Sequence, residues 1–342
     1  VASSEHWKVT ILYDAVEDKE DDPRADAPVH QQVRRALEGR GHEVRCLAAK
    51  PKIRSLVEQL EKDNSDIIFN VCESLDGVDR HSITVAALLE LMGKPFTGAG
   101  SVGLTLALDK GLAKKILSFH NIRSPRFSTM DSGQVEWSDD LEFPLFVKPL
   151  NADSSVGIDE KAIVRDVKEL MQRISYIHTE IGSPALIEEF IEGRELYVGI
   201  LGNDKPDVLP VLEWDFSNVT GPGIATAKAK WDKDSAAYKA PEVFPEDIPE
   251  ATYQEIQRAA LEACRALKIF DYCRVDLRLR RKSRKEGGGK SGNGEWEFFL
   301  IEVNPNPYLH NKSEFALAAR KKGLSYPDMV QAIIEAALKR KR

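Results

Sequence analysis

The chain has 342 residues, 42% hydrophobic and 30% charged, with a formal net charge of −7. That length exceeds what one hydrophobic core fills, so two or three domains are expected, and the acidic balance excludes a general nucleic-acid-binding surface. No apolar run reaches membrane-spanning length, and the opening VASSEHWK lacks a basic segment followed by an apolar one, so we expect a soluble cytoplasmic protein without a membrane partner.

KVTILY at 8–13 reads as a first strand, and an acidic loop then leads to the helix VHQQVRRALEGRGHEV, which Gly39 and Gly41 end. The strand EVRCL, a helix around SLVEQLEK, the strand DIIFNV and the helix SITVAALLELMG follow. Strands alternating with helices predict a parallel βαβ sheet over about the first 95 residues. At KPFTGAGSVG the chain turns a Pro/Gly corner before one helix, TLALDKGLAKKILSFHN. GAGSVG matches the dinucleotide fingerprint, but a Pro corner precedes it and Arg123 stands where the acidic partner belongs, so it reads as a turn between domains.

FPLFVKPLN and PALIEEFIEG read as short strands, and residues 206–249 are expected to be irregular apart from a strand in VLPVLEWDF. The helix YQEIQRAALEACRALK leads into CRVDLRLR, whose alternation puts Cys273, Val275, Leu277 and Leu279 on one face and Arg274, Asp276, Arg278 and Arg280 on the other. A Gly/Ser loop then connects to WEFFLIEVN, which predicts a β-hairpin; the GGGKSG within the loop lacks the first glycine and the following helix of a P-loop. The last helix is PDMVQAIIEAALKR. Cys46, Cys72, Cys264 and Cys273 have no metal-type spacing and are expected to be free, mostly buried thiols.

On the second hairpin strand Glu302 and Asn304 project together, with Ile301 and Val303 facing the other way. If the strands pair with Asp276 near Glu302, one patch of sheet carries two carboxylates, an amide oxygen and the Arg274 guanidinium. Those are ligands for Mg2+, a hard cation that shares its oxygens with nucleotide phosphates, while the arginine neutralises charge on a reacting group.

ELMGKPFTGAGSVGLTLALDKGLAKKIL, FPLFVKPLNADSSVGI, ALIEEFIEGREL, YCRVDLRL and FLIEVNPNP, in this order, resemble the ATP-grasp ligases, and among them the D-alanine:D-alanine ligase branch, over about residues 66 to 338. The resemblance implies an α/β (α+β) ATP-grasp fold with an N-terminal βαβ domain (1–97), a central domain (98–191) and a C-terminal domain (192–342), ATP lying between the last two. It implies ATP-dependent activation of a carboxylate to an acyl phosphate, attack by an amine, and release of ADP and phosphate. The implied partners are amino acids or small peptides, and a homodimer is compatible with it.

By the same resemblance Lys110 and Lys148 contact the ATP phosphates, and Ser154 and Ser155 lie in the loop folding over them. Glu188 accepts from the adenine amino group, the backbone of Glu189 and Ile191 holds the ring edge, Phe190 packs beside it, and Glu195 binds the ribose. Lys230 and Trp231 match a lid lysine and aromatic. Asp276, Glu302 and Asn304 hold two Mg2+ ions, replaceable by Mn2+, and Arg274, Ser154 and Lys230 serve catalysis. The substrate side departs from the family: Glu73 and Asp76 stand in a loop where the family has His-Gly, and Tyr308 and Ser313 follow the metal strand where it has small residues. Three readings follow: a ligase for other amino acids or peptides, a true D-alanine:D-alanine ligase, or a non-catalytic ATP-binding module.

Overall fold

A computed structural model describes residues 6–15, 27–131, 134–136, 140–151, 157–219, 221–226, 229, 232, 234–282 and 296–340. Ser154, Ser155, Lys230, Trp231 and the Gly/Ser loop at 283–295 lie outside the described residues.

Strands β1 (Lys8–Asp14), β2 (Glu43–Ala49) and β3 (Ile67–Asn70) form a parallel sheet in the order β2-β1-β3. Helices α1 (Val29–Glu38), α2 (Ile53–Glu61) and α3 (His81–Leu91) connect and follow them, as the alternating pattern predicts. Both faces of β1 are covered, Val9 and Ile11 packing in one core and Leu12 in another, which is why apolar residues fall on both of its faces.

GAGSVG is a turn. Gly98 has φ 91°, its N–H donates to Asp271 at 2.8 Å, and the N–H of Ala99 donates to Oδ1 of Asn306 at 2.8 Å. A Cβ at Gly98 would lie 2.6 Å from that Oδ1, so a side chain there would push the Asn306 amide aside as well as strain the backbone. The single helix expected next is two, α4 (Ser101–Leu108) and α5 (Lys110–Phe119). Asp109 between them is extended (φ −90°, ψ 93°), and its carboxylate accepts from the N–H of Leu112 at 2.9 Å, so an N-cap outweighs helical continuity.

An antiparallel sheet, order β5-β4-β8-β6-β7, is built from β4 (Phe127–Asp131), β5 (Gln134–Glu136), β6 (Leu145–Pro149), β7 (Ile163–Val164) and β8 (Ala185–Glu189), with α6 (Val167–Tyr176) on one face. The third sheet runs β12-β11-β9-β13-β14 with β10 beside β9. Its strands are β9 (Arg194–Leu201), β10 (Asp207–Val208), β11 (Leu212–Trp214), β12 (Glu242–Val243), β13 (Tyr272–Arg281) and β14 (Trp296–Asn304). The 206–249 segment thus holds three short strands where one was expected.

Helix α7 (Glu250–Ala266) covers the apolar face of β13, where Cys273, Val275, Leu277 and Leu279 are all within 1% of full burial. That packing brings Cys264 of α7 against Cys273, and the two form a disulfide. The free-thiol expectation is corrected for this pair: the local pattern placed Cys273 in the core but could not show that Cys264 faces it. Helix α8 (Glu314–Lys321), which the sequence reading did not mark, is capped by Ser313, and α9 (Tyr326–Lys339) begins with a Ser325/Asp328 capping box. Among the described residues no helix is long and apolar enough to cross a membrane.

Candidate active site

The face of β13 opposite its core side carries the site. Asp276 lies opposite Glu302 and Arg274 opposite Asn304 in the antiparallel β13–β14 ladder, the pairing on which the metal-ligand expectation depended. On the other side β9 sets Tyr197 beside Asp276 and Glu195 beside Arg278. One expectation fails here. The register shifts between Asp276 and Leu277, so that Leu277 pairs with Leu300, and Ile301 borders the cleft instead of joining Val303 in the core. A β-bulge adds one residue on β14 and resets the alternation.

The site's cations rest on its anions. Nζ of Lys110, the first residue of α5, is 2.8 Å from Glu302, and Arg274 donates to both oxygens of Asp276 at 2.7 and 2.9 Å and to Glu314 at 3.2 Å. Burial opposes charge on Arg274, but the Asp276 and Glu314 carboxylates outweigh it and hold the guanidinium firmly protonated. Asp276, Glu302 and Asn304 supply hard oxygens and suit Mg2+, and Nδ2 of Asn304 is buried without a hydrogen-bond partner. Among the described residues no group of three or more His, Cys, Asp or Glu side chains is poised for a metal, so two carboxylates and an amide need phosphate oxygens to complete a shell.

Across the cleft, Glu188 of β8 lies between two ammonium groups, Lys148 of β6 at 2.8 Å and Lys114 of α5 at 2.9 Å. Burial would raise the Glu188 carboxyl, but the two lysines outweigh it and hold it below its ordinary value. Lys114 is pushed down, first by burial, which Glu188 resists and the Lys148 ammonium reinforces. Phe146 and Phe190 stack at 6.4 Å on the same wall. Glu189 donates its N–H to Arg126 and its carboxylate lies 3.4 Å from the Arg126 guanidinium; Ile191 is buried beside them.

These walls border a cleft of about 100 Å³ lined by Phe146, Lys148, Glu188, Phe190, Glu195 and Asp276, among others, in which apolar rings face a few convergent charged groups. Glu73, Asp76, Tyr308 and Ser313 do not line it. Asp76 occupies an exposed left-handed turn (φ 59°), the Tyr308 ring stacks on His310, and the Ser313 hydroxyl accepts from Ala316 at the start of α8.

Residues 109–335 match the family model for the D-ala D-ala ligase C-terminus. A D-alanine–D-alanine ligase from Desulforudis audaxviator is 31% identical, the alignment covering 89% of this chain and 91% of that protein. The chain belongs to the D-alanine–D-alanine ligase family. As a member of that family it is an ATP-dependent carboxylate–amine ligase by class. An uncharacterised protein, y4sG of Sinorhizobium fredii, is 32% identical over 93% of this chain and 90% of its own length. The crystal structure of the Bacillus anthracis D-alanine–D-alanine ligase complexed with ATP superposes with a TM-score of 0.74 at 21% identity, covering 97% of this chain and 98% of that one, which establishes the ATP-grasp fold.

For this ligase family member the sequence reading missed five side chains of the site: Lys114, Phe146, Tyr197, Arg278 and Glu314. Three carried a signal. Phe146 shares a strand face with Lys148, Tyr197 with Glu195 and Arg278 with Asp276, each at a spacing of two. Nothing local marks Lys114 or Glu314, whose partners lie far along the chain.

Proposed function

We propose that this protein joins a carboxylate substrate to an amine, both amino acids or small peptides, through an acyl phosphate, using ATP and Mg2+. The observation that carries the reading is the single charged face on which Arg274, Asp276, Glu302 and Asn304 meet Lys110, opposite Lys148 and Glu188. ATP lies in the cleft with its adenine beside Phe146, Phe190 and Glu188, and Glu195 takes the ribose. Lys110 and Lys148 turn from Glu302 and Glu188 to the phosphates, which leaves Asp276, Glu302 and Asn304 to hold the metal. Mg2+ bound there supplies charge neutralisation at the transferring phosphoryl group. When the amine attacks the acyl carbon, a C–N bond forms, the C–O bond to phosphate breaks, and Arg274 neutralises the oxyanion between those steps.

Ser154, Ser155 and Lys230 complete the phosphate contacts in this proposal, and Glu73, Asp76, Tyr308 and Ser313 are its substrate-side residues. The division into 1–97, 98–191 and 192–342 goes with it, supported by a cleft that draws on β6 and β8 from one sheet and on β9, β13 and β14 from another. A second reading, D-alanine as both substrates, is favoured by relatives that carry the D-alanine–D-alanine ligase name at 30% and 31% identity. Bulky Tyr308 after the metal strand favours a different amine.

Phosphate release measured with ATP, Mg2+ and pooled amino acids, against D-alanine alone, tests both. Turnover with D-alanine alone selects the second reading, turnover only with other amino acids selects the first, and amine-independent behaviour across broad pools defeats ligation.

A further inference from the structure

Glu195 is held by donors from three segments. The Tyr197 hydroxyl donates to Oε1 at 2.7 Å, Nη2 of Arg278 to Oε2 at 2.8 Å, and the N–H of Ala225 to the same oxygen at 3.3 Å. Arg278 is itself fixed: Nη1 donates to the carbonyls of Gly193 at 2.9 Å and Gly223 at 2.8 Å. The first of these needs a glycine, since a Cβ at Gly193 would lie 2.4 Å from the carbonyl oxygen of Leu279. Tyr197 is kept protonated by burial and then by the Glu195 charge, so its hydroxyl remains a donor. Arg278, Glu195 and Tyr197 all line the nucleotide cleft, and Arg278 is only 7% exposed.

We propose that Arg278 is a positioning residue that orients Glu195 toward the nucleotide sugar, so that the cleft selects ribonucleotides by their hydroxyls. This rests on the ATP reading of the cleft. A carboxylate oxygen accepts more than one hydrogen bond, so Glu195 keeps acceptor capacity after Tyr197 and Arg278 are satisfied. Two fixed donors pre-set its rotamer, and a sugar hydroxyl then meets an acceptor that needs no ordering on binding. A 2′-deoxynucleotide forgoes that additional hydrogen bond, and sites built to bond a hydroxyl discriminate against analogues lacking it. Without the guanidinium the carboxylate swings, and both sugars bind alike.

Binding is measured by calorimetry with Mg2+ on the full chain, using ATP and 2′-deoxyATP as probes, for wild type, Arg278→Met and Tyr197→Phe. Wild type is expected to prefer ATP by about tenfold or more. Arg278→Met should bring the ratio below about threefold through weaker ATP binding, with 2′-deoxyATP little changed, and Tyr197→Phe should move it part of the way. Tyr197→Phe removes a single hydroxyl, so it decides the matter if Arg278→Met does not fold. A wild type that ignores the 2′-hydroxyl overturns the proposal. So does an unchanged ratio in the folded variants, or an equal loss for both nucleotides, which is the mark of a mere structural prop. A wild type that binds neither nucleotide overturns the ATP reading itself, a distinguishable result.

Discussion

Glu188 shows how one side chain can be legible while its setting is not. LIEEF placed a carboxylate on a short strand, and Lys148 ended another apolar strand; that Lys114 of α5 completes a buried cluster of two cations around one anion came only from the fold. An acid whose folded value is lowered contributes stability above its unfolded value and loses it as pH falls through the folded one. Unfolding free energy is therefore expected to decline below pH 4.5, the ordinary value for this group. Glu188→Gln should remove that part of the acid dependence and cost about 3–5 kcal/mol at neutral pH, because two buried ammonium groups lose their counter-ion. Urea unfolding of both proteins across pH 3 to 7, a range of about four pH units around carboxylate titration, checks this. Parallel pH slopes would sink it.

At the scale of elements, periodicity located the first sheet, β6, β8, the β13–β14 hairpin and most helices, while β4, β9 and α6 went unmarked, and capping decided where the helices break. The run TLALDKGLAKKILSFHN has helical composition throughout, yet Asp109 caps a new helix inside it and so sets Lys110 at a helix start facing Glu302. Asp109→Ala is expected to cost about 0.5–2 kcal/mol, read as a lower urea midpoint, and to weaken ATP binding as Lys110 loses its anchor. A midpoint lowered with unchanged ATP affinity would separate the cap from the site. The pairing of Asp276 with Glu302, a condition in the sequence, came from the fold, while the β13–β14 hairpin itself was readable from alternation in both strands. Its bulge was not, because one extra residue leaves no compositional mark, and Ile301 ended on the face opposite to the one expected.

For the whole molecule, the cleft is made by two sheets, so a ligand held by both should stabilise their assembly. A non-hydrolysable ATP analogue with Mg2+ at a hundred times its dissociation constant is expected to add about 2.7 kcal/mol to the unfolding free energy, seen as a higher Tm in scanning calorimetry. No shift at saturating analogue would contradict a shared nucleotide cleft. The sequence by itself determined the parallel βαβ opening, the charged face of the hairpin and the family resemblance, because strand alternation and motif order are local properties of a chain. The tertiary structure alone decided which charges meet: Lys110 with Glu302, Lys114 with Glu188, Glu195 with Arg278, and Cys264 with Cys273. Apart from the short Cys264–Cys273 separation, these contacts join residues far apart in sequence, and in all of them side-chain direction is fixed by how helices and strands from different segments pack.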